Sequence, residues 1–104
     1  EGYLKKAGRL NQAKYQPRYC MLDYGGRKLI YCEEDEMGLK RKGSVNLRGA
    51  EIISDETGKG TKIEIWTPAR KYIFVASDRT EKSKWVEALR HCSQDVLVAH
   101  RKLL

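Results

Sequence analysis

The chain has 104 residues, 40% hydrophobic and 34% charged, and its 21 lysines and arginines outnumber 14 acids for a net charge of +7. A chain of this length makes one domain that buries roughly 65% of its unfolded surface and folds without staples, and its composition is that of an ordinary globular domain. No apolar run approaches the roughly 18 residues of a spanning helix, and the charge points to an anionic partner: a membrane surface, nucleic acid or an acidic protein.

The cysteines are Cys20, Cys32 and Cys92. Their odd number and spacing match no metal site and fit reduced thiols in an intracellular protein. No signal peptide is readable, and the chain starts inside a strand pattern. It is therefore expected to be a domain cut from a larger protein.

A short strand opens the chain as Glu1-Gly2-Tyr3-Leu4-Lys5-Lys6, and a basic loop with Arg9 and Lys14 follows. Gln16-Pro17-Arg18 leads into a second strand, predicted over 19–23. Gly25-Gly26 reads as a hairpin turn into a third strand, 28–32. The acidic run Glu33-Glu34-Asp35-Glu36, with Gly38, is read as the end of that strand and the loop after it. A fourth strand is expected over 43–47 and a short fifth over 51–54. After the turn Gly58-Lys59-Gly60, residues 61–66 alternate through Ile63 and Ile65. Thr67-Pro68-Ala69 turns the chain into a seventh strand, 71–76. Seven short strands at this spacing imply an antiparallel barrel or sandwich.

The period then changes. Asp78 is a good N-cap, and Glu81 three residues on completes a capping-box pattern. Trp85, Leu89, Cys92 and Val96 recur at helical spacing, widened by Val86, which predicts a helix over about 79–94. Residues 95–104 read either as a helix extension or as a partly ordered tail. The helix needs a surface for its Trp85 stripe, which a strongly bent sheet with one open end supplies.

From Gly2 to Leu22 there are five cations and no acid. Strand side chains alternate between faces. Leu4 therefore shares a face with Lys6, and Arg18 with Cys20 and Leu22. If the leucines point inward, Lys6 and Arg18 converge at the open end of the sheet and form a pocket for a compact polyanion.

These segments together resemble the pleckstrin homology (PH) domain over 1–94. Gly2-Tyr3-Leu4-x-Lys6 is similar to that family's first strand, and Arg18-Tyr19-Cys20-Met21-Leu22 to its second. Leu29-Ile30-Tyr31 and Lys42-Gly43-Ser44-Val45 are similar to its third and fourth, and Trp85 to the tryptophan of its C-terminal helix. The resemblance implies a mainly β fold: a seven-stranded, partly open antiparallel barrel capped by one C-terminal α-helix. It also implies a phosphoinositide headgroup site at the positively charged end, with Lys6, Arg18, Tyr31 and Lys42 at the positions that members reading 3-phosphorylated inositides use. Gln16 departs from their base-x-Arg element. Gln-x-Arg is similar to members that read phosphatidylinositol 4-phosphate on internal membranes, and Lys14 is the nearest substitute base.

Arg9, Lys14, Lys40 and Arg41 are expected at the rim, each adding on the order of 1 kcal/mol of attraction to an anionic leaflet. Leu10 and Tyr15 are expected to pack locally, the alternative being the lipid interface. The acidic run is expected to be a solvated turn, pointing sideways or paired with Lys40, Arg41 or Lys42. Trp85 is expected in the core, Trp66 in packing, His91 and His100 on the surface.

The function expected is a non-catalytic membrane-targeting module that recruits a larger cytoplasmic protein to a membrane, the plasma membrane favoured over internal ones. The alternative is a protein-interaction module on the same scaffold. No Ser/His/Asp set, metal-ligand cluster or phosphate-binding glycine loop is readable, so neither cofactor nor metal is expected. Nucleic acid is disfavoured because the nine aromatics are mostly needed for the core. The isolated domain is expected to be monomeric.

Overall fold

A computed structural model describes residues 1–11, 13–55 and 60–94. Residues 95–104, His100 among them, and the turn glycine Gly58 lie outside the described residues, so those expectations end with the sequence.

The strands are β1 (Gly2–Ala7), β2 (Tyr15–Asp23), β3 (Lys28–Asp35), β4 (Gly38–Asn46), β5 (Glu51–Ser54), β6 (Lys62–Trp66) and β7 (Lys71–Val75), followed by helix α1 (Arg79–Ser93). All seven strands form one antiparallel sheet in the order β4-β3-β2-β1-β7-β6-β5. The edge strands β4 and β5 do not pair, so the barrel stays open.

Inward residues of every strand meet in one core. Leu29, Val45, Leu47, Ile63, Ile65 and Phe74 are completely buried, and Trp85, Val86, Leu89 and Cys92 of α1 close over them. Asp78 caps the helix by accepting from the Glu81 N–H at 2.7 Å, while the Glu81 carboxylate stands 3.7 Å from Lys84. The other end is held by Arg27. Its guanidinium donates to the carbonyls of Cys92, Ser93 and Gln94 at 2.7–3.0 Å. Those carbonyls have no partner within the helix, and a cation there also complements the helix dipole.

Three strands run longer than the hydrophobic pattern indicates. β2 begins at Tyr15, and β3 and β4 extend to Asp35 and back from Gly38, so Glu33, Glu34 and Asp35 are strand residues and not a loop. These arms are mostly exposed on both faces. Alternation marks a strand only where one face is buried, which is why the sequence is silent about them. A β-bulge interrupts the hairpin: Tyr31 pairs with Gly43 and Cys32 with Arg41, leaving Lys42 as the extra residue.

Antiparallel succession places the β1–β2 loop, the β3–β4 turn and the β6–β7 turn at one end of the sheet. The helix covers the other, packing across β5 and β6.

Candidate functional site

On β1 the inward phase passes from Leu4, which is buried, to Lys6, which is half-buried. Lys6 faces Gln16 on β2 and Phe74 on β7, and Arg18, the partner of Leu4, lies diagonally across. The Lys6 ammonium stands 4.9 Å from the centroid of the Tyr31 ring and 5.8 Å from that of Tyr72. The Arg70 guanidinium lies 4.1 Å from the Tyr72 centroid. Ring faces carry negative charge density and attract cations, more strongly when water is excluded.

Burial lowers the Lys6 pKa below its ordinary value, and the positive charges of Arg70 and Arg18 lower it further. Burial pushes the Tyr31 phenol up, with Tyr72 adding to the rise and Arg70 and Arg18 opposing it. Among the described residues no carboxylate pairs with Lys6, Arg18 or Arg70. Three cations are thus held together with no anionic partner among the described residues; the Lys6 ammonium also donates to the Ala7 carbonyl at 3.3 Å.

Arg18 folds back along its own strand. It donates to the Pro17 carbonyl at 2.8 Å and to Gln16 Oε1 at 3.2 Å, so part of its five-donor fork is left for a ligand. Beside it a concavity of about 400 Å³ is lined by Lys6, Arg9, Lys14, Gln16 and Arg18, among others. The β1–β2 loop forms its wall. Gly8 donates to the Lys14 carbonyl at 2.9 Å, and a Cβ at Gly8 would come within 2.9 Å of the Asn11 carbonyl oxygen, so only glycine permits this closure.

Lys6, Arg18 and Tyr31 therefore come together, and Arg9, Lys14 and Gln16 share the concavity. Lys42 does not join them freely: it sits 3.4 Å from the Glu33 carboxylate on the bulge. Lys40 stands opposite Glu33, and Arg41 opposite Cys32, outside that concavity. The acidic arm is thus partly neutralised by β4, and Glu34 is engaged by the Tyr3 hydroxyl. Tyr31 lies so close over Gly43 that any Cβ there would collide with the phenol. Trp85 is buried as expected, and His91 is exposed.

Two expectations are corrected. Leu10 is not packed locally: it is fully exposed at the lip of the concavity. Trp66 is 46% exposed, with the Lys71 ammonium 5.4 Å from its ring. Arg70 and Tyr72 were missed. Their signal was the inward phase of β7, since Tyr72 precedes the core residue Phe74 by two and Arg70 precedes Tyr72 by two.

Residues 1–94 match the PH domain family. The chain belongs to that family. Its PH domain is 31% identical to mouse Arf-GAP with dual PH domain-containing protein 2, over 86% of this chain and 26% of that protein. It is 34% identical to human oxysterol-binding protein-related protein 9, over 72% of this chain and 10% of that protein. The chain spans a minor part of both relatives. Among solved structures it is similar to the C-terminal PH domain of pleckstrin in complex with D-myo-Ins(1,2,3,4,5)P5, with a TM-score of 0.73 and 27% identity over 89% of this chain and 95% of that one. It is also similar to the PH domain of human oxysterol binding protein-related protein 11, with a TM-score of 0.70 and 30% identity over 89% and 78% of the two chains. A PH domain is a module for membrane or protein interaction. Among the described residues no helix is long and apolar enough to cross a membrane.

Proposed function

We propose that this PH domain binds the phosphorylated inositol headgroup of a membrane phosphoinositide and so recruits a larger parent protein to the membrane surface. The observation that carries this reading is the cation cluster of Lys6, Arg18 and Arg70, which has no carboxylate partner among the described residues. Like charges held together at a half-buried site cost stability unless an anion joins them. Arg18 supplies a planar fork for two phosphate oxygens, Lys6 a compact charge, and Tyr31 a phenolic donor. Lys42 joins once it exchanges Glu33 for phosphate. Arg9 and Lys14 add attraction at the rim, and Leu10 faces the lipid. The pleckstrin domain solved with an inositol pentakisphosphate supports a ligand of this chemistry.

A 3-phosphorylated inositide is the favoured headgroup, read through Lys6, Arg18, Tyr31 and Lys42. Gln16 favours phosphatidylinositol 4-phosphate as the second reading, because a neutral amide occupied by Arg18 supplies no charge for a further phosphate.

The test is a vesicle panel containing 3-, 4- and 4,5-phosphorylated lipids. Lys6→Ala and Arg18→Ala are expected to lose binding to the preferred lipid by tenfold or more, an interaction on the order of 1.4 kcal/mol or above. Wild-type binding by both variants to every lipid would sink the assignment.

A further inference from the structure

The face of the sheet opposite the headgroup site carries a second concavity, of about 450 Å³, lined by Tyr3, Pro17, Tyr19, Glu34, Asp35 and Glu36. Tyr3 and Tyr19 are direct partners across β1 and β2, and their rings meet edge to face at 5.0 Å and 69°. They form an aromatic corner, with Tyr3 56% exposed. Its far wall is the end of β3, where Glu34 continues the outward phase of Cys32, the partner of Tyr19. The Tyr3 hydroxyl donates to Glu34 Oε2, which orients the carboxylate toward the rings. The six lining residues include three acids and no base, on a chain whose net charge is +7.

We infer that this outer-face pocket docks an arginine side chain presented by a peptide segment of a partner protein. A guanidinium stacks on a tyrosine face and donates its fork to a carboxylate at the same time. The aromatic corner and Glu34 offer both contacts within one cavity. A quaternary ammonium has no N–H to give the carboxylates, and an anionic lipid is repelled by them. The flanks narrow the choice further. Lys5 is paired with Pro17 and Arg41 with Cys32, so a cation borders the pocket on each side. Like charges at neighbouring positions on a sheet face repel. The pocket therefore favours one isolated arginine over a polybasic run. Lys6 and Arg18 belong to the inward phase of the same strands, so the two sites do not share side chains.

The test uses the capped peptide acetyl-Gly-Ser-Arg-Ser-Gly-amide, followed by amide and tyrosine chemical shifts of the domain. Saturable shifts are expected on β1, β2 and the end of β3. Replacing arginine by citrulline, its neutral isostere, is expected to weaken binding about tenfold, as are Tyr3→Ala and Glu34→Gln, one lost contact of about 1.4 kcal/mol each. Arg18→Ala is expected to leave peptide binding unchanged, and Tyr3→Ala to leave vesicle binding unchanged. Equal binding of the citrulline peptide, or shifts that are diffuse and do not saturate, would overturn the inference. Vesicle binding is read separately, so failure of either site is told apart from failure of the other.

Discussion

The Lys6 ammonium lies 4.9 Å from the centroid of the Tyr31 ring, with the Phe74 strand on one side and Gln16 on the other. It is a charge placed one alternation beyond the buried Leu4, where the core opens to solvent. This position makes it costly in the empty domain and useful in the bound one.

Lys6→Met is therefore expected to stabilise the empty domain by up to about 1 kcal/mol, discounted for partial exposure, while removing headgroup binding. The pH dependence has a definite sign. The folded pKa of Lys6 lies below the ordinary 10.5, so between the two values the unfolded chain binds more protons. Stability then rises with pH across that window, and the full cost is present at neutral pH. Denaturant melts of the wild type and Lys6→Met between neutral pH and pH 10 measure it: the gap between the two proteins should narrow as pH rises.

Arg70 is stacked on Tyr72 and adds to the field at Lys6. Arg70→Gln is expected to weaken headgroup binding about tenfold, in line with loss of one charge-assisted contact. The melting temperature should change little. Calorimetric titration with a soluble inositol phosphate reads the affinity, and an unchanged constant would remove Arg70 from the site.

Glu33 holds Lys42 at 3.4 Å and competes with any phosphate for it. Glu33→Gln is expected to raise headgroup affinity several-fold, since an exposed ion pair of this kind is worth about 0.2–1 kcal/mol. The gain should vanish in a Lys42→Ala background. A gain that persists there would mean that Glu33 acts through the general field and not through Lys42.

Arg27 serves the opposite end of the barrel. It adopts a left-handed backbone conformation, φ 53°, and its guanidinium bridges three carbonyls at the end of α1. Arg27→Ala is expected to cost about 2–3 kcal/mol, because three charged hydrogen bonds are lost, although the Ser93 carbonyl keeps the Gly49 N–H at 3.3 Å. Arg27→Lys should recover only part of it, since an ammonium lacks the planar fork. Urea unfolding of the three proteins gives both values.

The Cys20 thiol is completely enclosed, and burial pushes its pKa up to about 12 from the ordinary 9.0. The folded state therefore holds this proton more tightly, and stability falls as pH rises from 9 toward 12, by at most about 1.4 kcal/mol per pH unit. At pH 8.5 iodoacetamide should label Cys20 only after denaturant is added. Mass spectrometry of the peptide containing Cys20 reads the outcome, and labelling of the native domain would contradict the burial.

Much of the fold was legible because its elements obey simple periods. Ile63 and Ile65, or Trp85 and Leu89, announce a half-buried strand and a half-buried helix directly. The solvent-exposed arms of β2, β3 and β4 have no such period. Glu33, Glu34 and Asp35 therefore read as a loop although they are hydrogen-bonded strand. The same silence concealed the aromatic corner of Tyr3 and Tyr19, whereas pairing of the acidic run with a base of β4 was readable and the structure selects Glu33 with Lys42.

Taken alone, the sequence determined the strand phases, the helix with its Asp78 cap, and the fact that Lys6 and Arg18 point the same way as Leu4 and Cys20. Those follow from backbone geometry acting on neighbours in the chain. Only the tertiary structure decided which cations meet. Arg70 reaches Lys6 because β7 pairs with β1, although 64 positions separate the two residues in the chain (70 minus 6). Lys42 is drawn to Glu33 because a bulge turns it out of register. Electrostatic contact depends on distance in space, which the pairing of distant strands sets and local periodicity does not contain.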